Sequence, residues 1–232
     1  MKRIISYSLW GNIPRYTQGA IRNVETAADF YPDWECWVYC AKDVSFDIIQ
    51  KLNRFPNTKV ITTLENGDWK FTTKRFIAIS EENVERVMFR DCDNRFSERE
   101  VKAVEAWIES NKTLHVMKDH PYHGGFPILA GQWGLSNGFK HDMKALLASY
   151  KNVEQYHYDQ IFLMNYVWKY YGNDSIIHDE IFNNFPFPTE RTNFHYIGEP
   201  HNEFDMPCTP QHKEILKEFL KNETNKGNRS NR

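Results

Sequence analysis

The sequence VMFRDCD at residues 87–93 joins an apolar strand pattern to two acidic residues spaced i, i+2. In open parallel sheets, ligands bind beyond the carboxyl ends of the strands, so we expect Asp91 and Asp93 to face that crevice. Two neighbouring carboxylates suit a hard divalent cation such as Mg²⁺ or Mn²⁺, which commonly bridges protein carboxylates to substrate phosphates. The alternative is that one acid caps the next helix and the other is solvated.

Strand and helix patterns alternate around this stretch. The sequence Ser97-Glu98-Arg99-Glu100 is typical of a capping box that opens a helix. Strand patterns cover residues 4–9, 35–39, 59–62, 86–89 and 113–117, and helical patterns cover 17–30, 45–52, 70–80, 143–150, 159–170 and 210–220. Residues 119–137 and 175–208 have little regular pattern, apart from a short strand at Ile176-Ile177. This alternation predicts an α/β fold with βαβ units and a mainly parallel central sheet covered by helices.

Length and composition limit the class of protein. The 232 residues suit one domain, residues 1–222, and residues 223–232 lack apolar side chains, which predicts a disordered tail. Lys and Arg number 29 against 31 Asp and Glu, a net charge of −2 that argues against nucleic-acid binding. We expect a cytoplasmic protein because the sequence shows no signal peptide, no integral membrane segment and only four cysteines.

Residues 75–93 resemble the core of the GT-A-type glycosyltransferases, in which a helix with a basic residue precedes a strand that ends in an Asp-x-Asp motif. Here Arg75-Phe76 and Ile79 precede the strand. YDQIFL at residues 158–163 resembles the Asp-Gln helix start of family 8 glycosyltransferases. FHYIGEP at residues 194–200 is similar to their late His-x-x-Gly-x-x-Pro region, with the proline one residue early.

The sequence is more similar still to a group of small GT-A-like proteins of bacteria and viruses. Their SYSLWG, PRYTxGA, RDxDxRxSERE, MxDHPYHGxPIxxGxWG and HDExF…PFPTxR…GE motifs match stretches spread over about residues 1–205. The resemblance implies a single GT-A (Rossmann-like) domain with a mixed, mainly parallel sheet. It also implies a metal-dependent enzyme that moves a hexose from a nucleotide-diphosphate sugar to a hydroxyl acceptor.

The same resemblance implies how a cation would be held. Asp93 would be a direct metal ligand, and Asp91 would hold the ribose or a metal-bound water. Mn²⁺ or Mg²⁺ would neutralise the departing diphosphate. His178 follows an apolar pair and could complete the site with a neutral imidazole, with His195 as the competing candidate and a plain surface histidine as the alternative. A UDP-sugar is the default donor by family frequency, and the acceptor is a glycan, a lipid or a protein.

Arginine and aromatic side chains are the candidates for donor binding. Either Arg75 or Arg95 could hold the diphosphate with a planar guanidinium, or could form an ion pair with the acids instead. The base and ribose would lie beside the end of the first strand in this fold, and Tyr16 would stack on the base or pack in the core. The sugar would lie above a floor with Trp133 as a stacking platform. The candidates for these contacts are Trp10, Gly11, Arg15, Tyr16, Gly131 and Trp133.

The loop DHPYHGG at residues 119–125 concentrates polar side chains beside glycines that permit close approach. We predict catalytic roles for Asp119 and His120 there, and His120 and His123 could bond sugar hydroxyls. The alternative is a structural turn in which the histidines pair with Asp119. Asp159 opens a helix, either as its N-cap or as an active-site base towards the acceptor hydroxyl.

Two other functions share parts of this pattern. Haloacid-dehalogenase-type phosphatases also carry Asp-x-Asp after a strand, but a Thr or Val usually follows the second Asp, whereas Asn94-Arg95 follow here. A non-catalytic nucleotide- or carbohydrate-binding module would keep the fold without turnover. The presence of both Asp91 and Asp93 favours the enzyme over the module.

Overall fold

A computed structural model describes residues 1–151, 155–182 and 185–230, and it describes side chains as far as residue 222. Its strands are β1 (Lys2–Leu9), β2 (Glu35–Cys40), β3 (Thr58–Thr62), β4 (Val84–Arg90), β5 (Leu114–Lys118), β6 (Gln132–Ser136) and β7 (Ser175–Asp179). They form one sheet in the order β3-β2-β1-β4-β6-β5-β7. Neighbours pair in parallel except where β6 runs antiparallel to β4 and β5. The predicted mixed, mainly parallel sheet is confirmed.

Helices cover both faces of the sheet. They are α1 (Pro14–Phe30), α2 (Phe46–Leu52), α3 (Glu98–Ser110), α4 (Met143–Ser149), α5 (Tyr158–Phe162), α6 (Lys169–Tyr171) and α7 (Pro210–Ser230). The predicted helix at residues 70–80 is a 3₁₀ segment, Trp69–Ser80, and Pro121–Gly124 is a second. A π-helical stretch, Leu163–Trp168, joins α5 to α6.

Alternation along the central strands divides the core into two apolar clusters. Ile4 and Val87 pack into one cluster together with Phe76 and Trp133, and Ile5 packs into the other. Successive side chains of a strand point to opposite faces, so β1 and β4 supply both clusters. The two central strands are therefore buried on both sides, and their carboxyl ends are held in fixed positions.

Helix α3 begins as its sequence predicts, but with half of a capping box. The Ser97 hydroxyl accepts a hydrogen bond from the backbone N–H of Glu100 at 3.2 Å. The Glu100 carboxylate does not return to Ser97; it accepts hydrogen bonds from Arg90 Nε at 2.8 Å and from the Tyr31 hydroxyl at 3.3 Å. Glu100 thus ties the start of α3 to the end of β4.

Two stretches differ from the prediction. Strand β6 lies within residues 119–137, where glycines and prolines hide its five-residue pattern. Helix α7 continues to Ser230 rather than ending at residue 220, so residues 223–230 of the predicted tail extend this helix, while residues 231–232 lie outside the described chain. The division of the chain at residue 222 stays a prediction. Within the described ranges, no helix is both long and apolar enough to cross a membrane.

Candidate active site

The turn after β4 is held tightly by its neighbours. Arg90 is buried at the end of the strand and donates from Nη1 to the backbone oxygen of Trp133 at 2.9 Å. Asn23 of α1 donates to the backbone oxygen of Cys92 at 3.1 Å. A Cβ on Gly19 would overlap that same oxygen, so glycine lets α1 pack directly on the turn. The carboxylates of Asp91 and Asp93 therefore project from a rigid support.

A cavity of about 730 Å³ lies beyond the carboxyl ends of β1 and β4. Its position agrees with the rule that ligands bind at this edge of an open α/β sheet. Most of the residues proposed for donor and metal binding meet there. The predicted residues that line the cavity are Trp10, Gly11, Arg15, Tyr16, Arg75, Asp91, Asp93, Gly131 and Asp159.

Arg75 joins two of the acidic side chains in the cavity. Its buried guanidinium donates to Asp91 Oδ1 at 2.5 Å and to Asp159 Oδ2 at 3.2 Å. The hydroxyls of Ser6 and Ser8 on β1 bond the backbone of Arg75 at 2.7 and 2.9 Å, which fixes its position. The ion-pair alternative for Arg75 is thus the observed one, and it still leaves Arg75 facing the cavity.

Asp159 lies in the first turn of α5 and is not its N-cap. His157 occupies the cap position in a left-handed backbone conformation and makes no capping side-chain bond. Burial raises the pKa of Asp159, while the charge of Arg75 opposes that change. A buried carboxylate whose proton affinity is raised can accept a proton from a bound hydroxyl group more readily than an ordinary aspartate can.

Asp93 is almost fully buried and pairs with Arg15 of α1. Arg15 donates to Asp93 Oδ2 from Nε at 2.7 Å and also from Nη2. Burial raises the pKa of Asp93 and the neighbouring Asp91 charge raises it further, whereas Arg15 lowers it. The carboxylate of Asp93 therefore lies where an additional positive charge would stabilise its ionised form.

The oxygen atoms at the turn suit a hard cation that takes some of its ligands from the protein and the others from a substrate. Among the side chains of residues 1–151, 155–182 and 185–222, no group of three or more His, Cys, Asp and Glu could hold a metal alone. Asp91 and Asp93 supply carboxylate oxygens, and the buried amide oxygen of Asn94 has no hydrogen-bond partner in the described part of the chain. Mg²⁺ typically takes one or two protein carboxylates and completes its shell with phosphates and water. These residues fit that pattern.

Several solved structures with the same architecture are glycosyltransferases. An active-site variant of LgtC, a galactosyltransferase, matches with a TM-score of 0.52 and 15% identity over 96% of both chains. A glycosyltransferase involved in the glycosylation of the major capsid of PBCV-1 matches with a TM-score of 0.52 and 15% identity, over 77% of this chain and 82% of the other. The fold is that of the GT-A glycosyltransferases.

Two further comparisons complete this finding. The 1–349 fragment of S. aureus TarS matches the fold of this chain with a TM-score of 0.50 and 17% identity. The alignment covers 78% of this chain and 58% of the fragment. Neither a protein-family model nor a curated protein matches the sequence. At such identities the likeness establishes the fold, and the chemistry must be argued from the site.

Asp119 and His120 are scaffold residues of this GT-A fold, which corrects the prediction that they are catalytic. Asp119 is fully buried and accepts hydrogen bonds from Arg99 Nη2 at 3.1 Å, from Arg191 Nη2 at 2.5 Å and from the backbone N–H of Ile197 at 3.0 Å. His120 is also fully buried, and its Nδ1 accepts from the backbone N–H of Tyr122. Neither side chain lines the cavity. The structural-turn alternative holds only in part, because the Asp119 carboxylate pairs with arginines and not with the histidines, while His123 accepts from the backbone N–H of Asp119.

His178 belongs to the core rather than to a metal site. It lies on β7 with its Nδ1 2.9 Å from Nε2 of the buried His115 on β5, and burial lowers its pKa to about 4. The competing His195 lies outside the cavity lining with its Nδ1 2.6 Å from Glu199 Oε2. A third histidine is joined to the turn through its backbone: the N–H of His201 donates to the backbone oxygen of Asp93 at 2.8 Å, although His201, like His195, is not part of the cavity lining.

Trp133 and Arg95 also lie outside the cavity lining. Trp133 is fully buried on β6 and stacks on Phe89 with ring centroids 4.2 Å apart, so it is a core residue and not a platform for the sugar. The residue that faces the cavity from this strand is its neighbour Gln132. Arg95 donates to Asp205 at 2.7 Å and to the backbone oxygen of Asn94 at 2.8 Å, so it supports the turn from outside the cavity.

The cavity also contains aromatic residues that the sequence did not single out. Trp69 contacts Trp10 edge-on at 6.3 Å, and Tyr156 contacts Trp69 edge-on at 5.2 Å. These three rings are part of the cavity lining, and Trp10 directly follows β1. The sequence signal was the density of aromatic residues, but their proximity depends on contacts between residues that lie 59 and 87 positions apart.

Proposed function

We propose that this protein is a metal-dependent glycosyltransferase that moves a sugar from a nucleotide-diphosphate donor to a hydroxyl acceptor. The observation that carries the proposal is the pair Asp91 and Asp93, placed by β4 at the base of a cavity with aromatic walls. A nucleotide-sugar needs such a combination: ring contacts for the base, charge for the diphosphate and small residues beside the sugar. The cytoplasmic location expected from the sequence is part of the same proposal.

The proposed orientation of the donor in the cavity rests on the order of the strands. β1 neighbours β4, and β6 and β5 lie on the opposite side of β4. The base and ribose then lie against Trp10 and Tyr16 after β1, with uridine as the default base. The diphosphate lies at Asp91 and Asp93, and the sugar lies towards Gly131 and Asp159.

Mn²⁺ or Mg²⁺ held by Asp93, Asp91 and the diphosphate would supply positive charge to the leaving group. Arg15 is then free to bind a donor phosphate, because its side chain is about one-third exposed and Asp93 is its only carboxylate partner among the described residues. Arg75 stays in place, since it also donates to the backbone oxygen of Arg90 at 2.8 Å. Arg15 thus binds the substrate, while Arg75 keeps the acids in position.

His201 replaces His178 as the imidazole candidate for this centre. Its Nδ1 lies 2.9 Å from the backbone oxygen of Glu199, the type of contact that fixes the tautomer of a metal-binding histidine and leaves Nε2 free. Burial lowers the pKa of His201, which favours the neutral ring that a cation requires. The supporting geometry is the backbone contact of His201 with Asp93.

Asp159 is the proposed base. Its carboxylate would accept the proton of the acceptor hydroxyl as the bond from that oxygen to the sugar forms. Arg75 holds one carboxylate oxygen of Asp159, and the other accepts from the backbone N–H of Gln160 at 2.9 Å, so the group is oriented from two sides. Removal of Asp159 should lower turnover far more than it lowers donor binding.

The test measures the release of free nucleoside diphosphate from a panel of nucleotide-sugars in the presence of Mn²⁺. We expect release that chelator abolishes and that Asp93→Ala abolishes while the protein stays folded. Asp47→Ala is the matched control, because Asp47 pairs with Lys51 on the surface of α2, outside the cavity lining. Release that persists in Asp93→Ala, or that is insensitive to chelator, contradicts the metal role. Binding without release for every donor and acceptor favours the non-catalytic module.

A further inference from the structure

His123 is the one polar side chain of the loop after β5 that faces the cavity. It lies in the 3₁₀ segment Pro121–Gly124 and is about nine-tenths buried. Its Nδ1 accepts a hydrogen bond from the backbone N–H of Asp119 at 3.0 Å. A backbone N–H can only donate, so Nδ1 carries no proton and the proton of the neutral ring must lie on Nε2.

The surroundings of His123 keep its ring neutral. Burial lowers its pKa to about 3, and the basic side chains that face it from the neighbouring elements act in the same direction. Those groups are Lys118 of β5, His120 of the same loop, Arg191, and His212 of α7. Among the described residues we find no acceptor bonded to Nε2. The ring therefore presents a fixed N–H donor whose state does not change near neutral pH.

Gln132 supplies an acceptor to the same cavity. It begins β6, is 7% exposed, and its amide oxygen has no hydrogen-bond partner in the described part of the chain. Its amide packs on Gly198, where a Cβ would overlap the amide nitrogen, so the side chain is held from one side. A buried amide oxygen without a partner loses free energy that a hydroxyl group of a ligand would restore.

The register of the sheet places both side chains on the far side of the acids from the aromatic wall. Gln132 pairs with Arg90 at the carboxyl end of β4, and β5, which precedes His123, lies beyond β6. Trp10 and Tyr16 follow β1, on the other side of β4. A donor whose base lies near Tyr16 and whose diphosphate lies at Asp93 therefore directs its sugar towards Gln132 and His123.

We propose that His123 and Gln132 recognise one hydroxyl group of the transferred sugar, which accepts from His123 Nε2–H and donates to the Gln132 amide oxygen. A hydroxyl group is both donor and acceptor, so it satisfies the two side chains together. A site built in this way rejects a sugar that lacks the hydroxyl, because both protein groups are then left buried and unpaired. The inference deepens the proposed function and rests on it.

Two substitutions separate recognition from folding. His123→Asn keeps an acceptor near the backbone N–H of Asp119 but removes the Nε2 donor. His123→Gln reverses these properties, since its amide reaches the Nε2 position. We expect His123→Asn to lower kcat/KM for nucleotide-sugar consumption about tenfold with unchanged affinity for the free nucleoside diphosphate in Mn²⁺. His123→Gln should recover most of that activity but unfold at a lower temperature.

Donors that lack single sugar hydroxyls complete the test. For one deoxy donor, the wild-type protein should lose more activity than His123→Asn loses with the intact sugar, because the bond to Gln132 is lost as well. His123→Asn should lose less than wild type does when that deoxy donor replaces the intact sugar. If the losses add for every deoxy donor, or if His123→Asn is as active as wild type, the inference is wrong while the transferase proposal stands. If the wild-type protein consumes no nucleotide-sugar at all, both fail.

Nitrogen NMR of the histidine rings gives a readout that needs no activity. The expected His123 signal is a neutral ring with an unprotonated Nδ1 and a protonated Nε2, unchanged from pH 8 to pH 5. A protonated Nδ1, or titration near the ordinary histidine value of about 6.5, would overturn the fixed-donor geometry.

Discussion

The ends of β4 and β5 carry similar sequences but play opposite parts. Each strand runs in the same direction and ends in a basic residue followed by an acid, Arg90-Asp91 and Lys118-Asp119. Asp91 has a side chain 45% exposed to the cavity, whereas the Asp119 side chain is fully enclosed. The end of β4 thus contributes to the candidate site, whereas the end of β5 is an anchor that holds neighbouring segments together.

The neighbours of each acid account for the difference. Asp91 lies against Gly131, where a side chain would overlap its carboxylate, so the space beside it stays open. Asp119 is surrounded by Arg99, Arg191 and the backbone of Ile197, which take both of its oxygens. An acid after a parallel strand is therefore available to a ligand when its partners leave part of its carboxylate open, as Arg75 does at Asp91.

The largest expected effect is the loss of folding stability in Asp119→Asn. This change leaves the buried Arg99 and Arg191 without their shared carboxylate, although Arg99 keeps Glu180 at 2.7 Å. We expect the free energy of unfolding to fall by about 3 kcal/mol or more, measured by urea titration. Asp93→Asn serves as the comparison and should change stability little. Equal losses in the two variants would remove the distinction between site and anchor.

Acid should weaken the β5–β7 side of the sheet. The pKa of His178 is about 4 in the folded protein, below the ordinary value of about 6.5 in the unfolded chain. Between these values the unfolded chain binds more protons, so the free energy of unfolding falls as pH falls from about 6.5 to 4, by up to about 3 kcal/mol. The raised pKa values of Asp93 and Asp159 act in the opposite direction, because their protonation on acidification favours the folded state.

Urea titrations from pH 7 to pH 4 on the wild-type protein and His178→Asn measure this dependence. The substitution should flatten the pH profile as well as lower stability at pH 7. A profile with the same slope in both proteins would show that His178 is not the neutral buried ring described above.

Gly131→Ala should damage the site more than the fold. The added methyl group would push the Asp91 carboxylate from its place, which we expect to cost about 1–2 kcal/mol of stability and most of the Mn²⁺-dependent affinity for nucleotide. Gly125→Ala is the matched control, because a Cβ there meets no atom within 4 Å. Isothermal titration of both variants with UDP and Mn²⁺ decides the matter. Affinity as high in Gly131→Ala as in the control would contradict the open space assigned to Asp91.

Arg95→Ala should have the smallest effect. Arg95 follows the acids in sequence but pairs with the half-exposed Asp205, outside the cavity lining. We expect a stability loss of about 1 kcal/mol and unchanged nucleotide binding. Arg22→Ala is its control, since Arg22 is the other cation beside Asp205. Nucleotide binding that is weakened in Arg95→Ala but not in Arg22→Ala would show that Arg95 belongs to the binding site.

Local sequence patterns were sufficient for the elements and residues closest to the acids. The apolar run before Asp91 and Asp93 predicted β4 and the crevice, because strand period and position at a sheet edge are local properties. The resemblance to GT-A enzymes directed attention to Arg75 and Asp159, which the structure brings to the same cavity.

Non-local pairing decided what the sequence missed. β6 inserts antiparallel between β4 and β5 and turns Trp133 into the core, although its loop suggested a sugar platform. His178 is buried because β7 pairs with β5, and Asp119 is enclosed by arginines 20 and 72 residues away. A local sequence pattern does not predict which partner a polar side chain contacts when that partner is so far away in the sequence.

Thermal unfolding with UDP, GDP, CDP and dTDP, each with and without Mn²⁺, tests the central claim most directly when wild type and Asp93→Asn are compared. A ligand that binds only the folded state adds about 2.7 kcal/mol at a hundredfold excess over its dissociation constant. The account predicts a rise in melting temperature with one nucleotide, only with Mn²⁺ and only in wild type. A rise that Asp93→Asn retains, or no rise with any nucleotide, would contradict it.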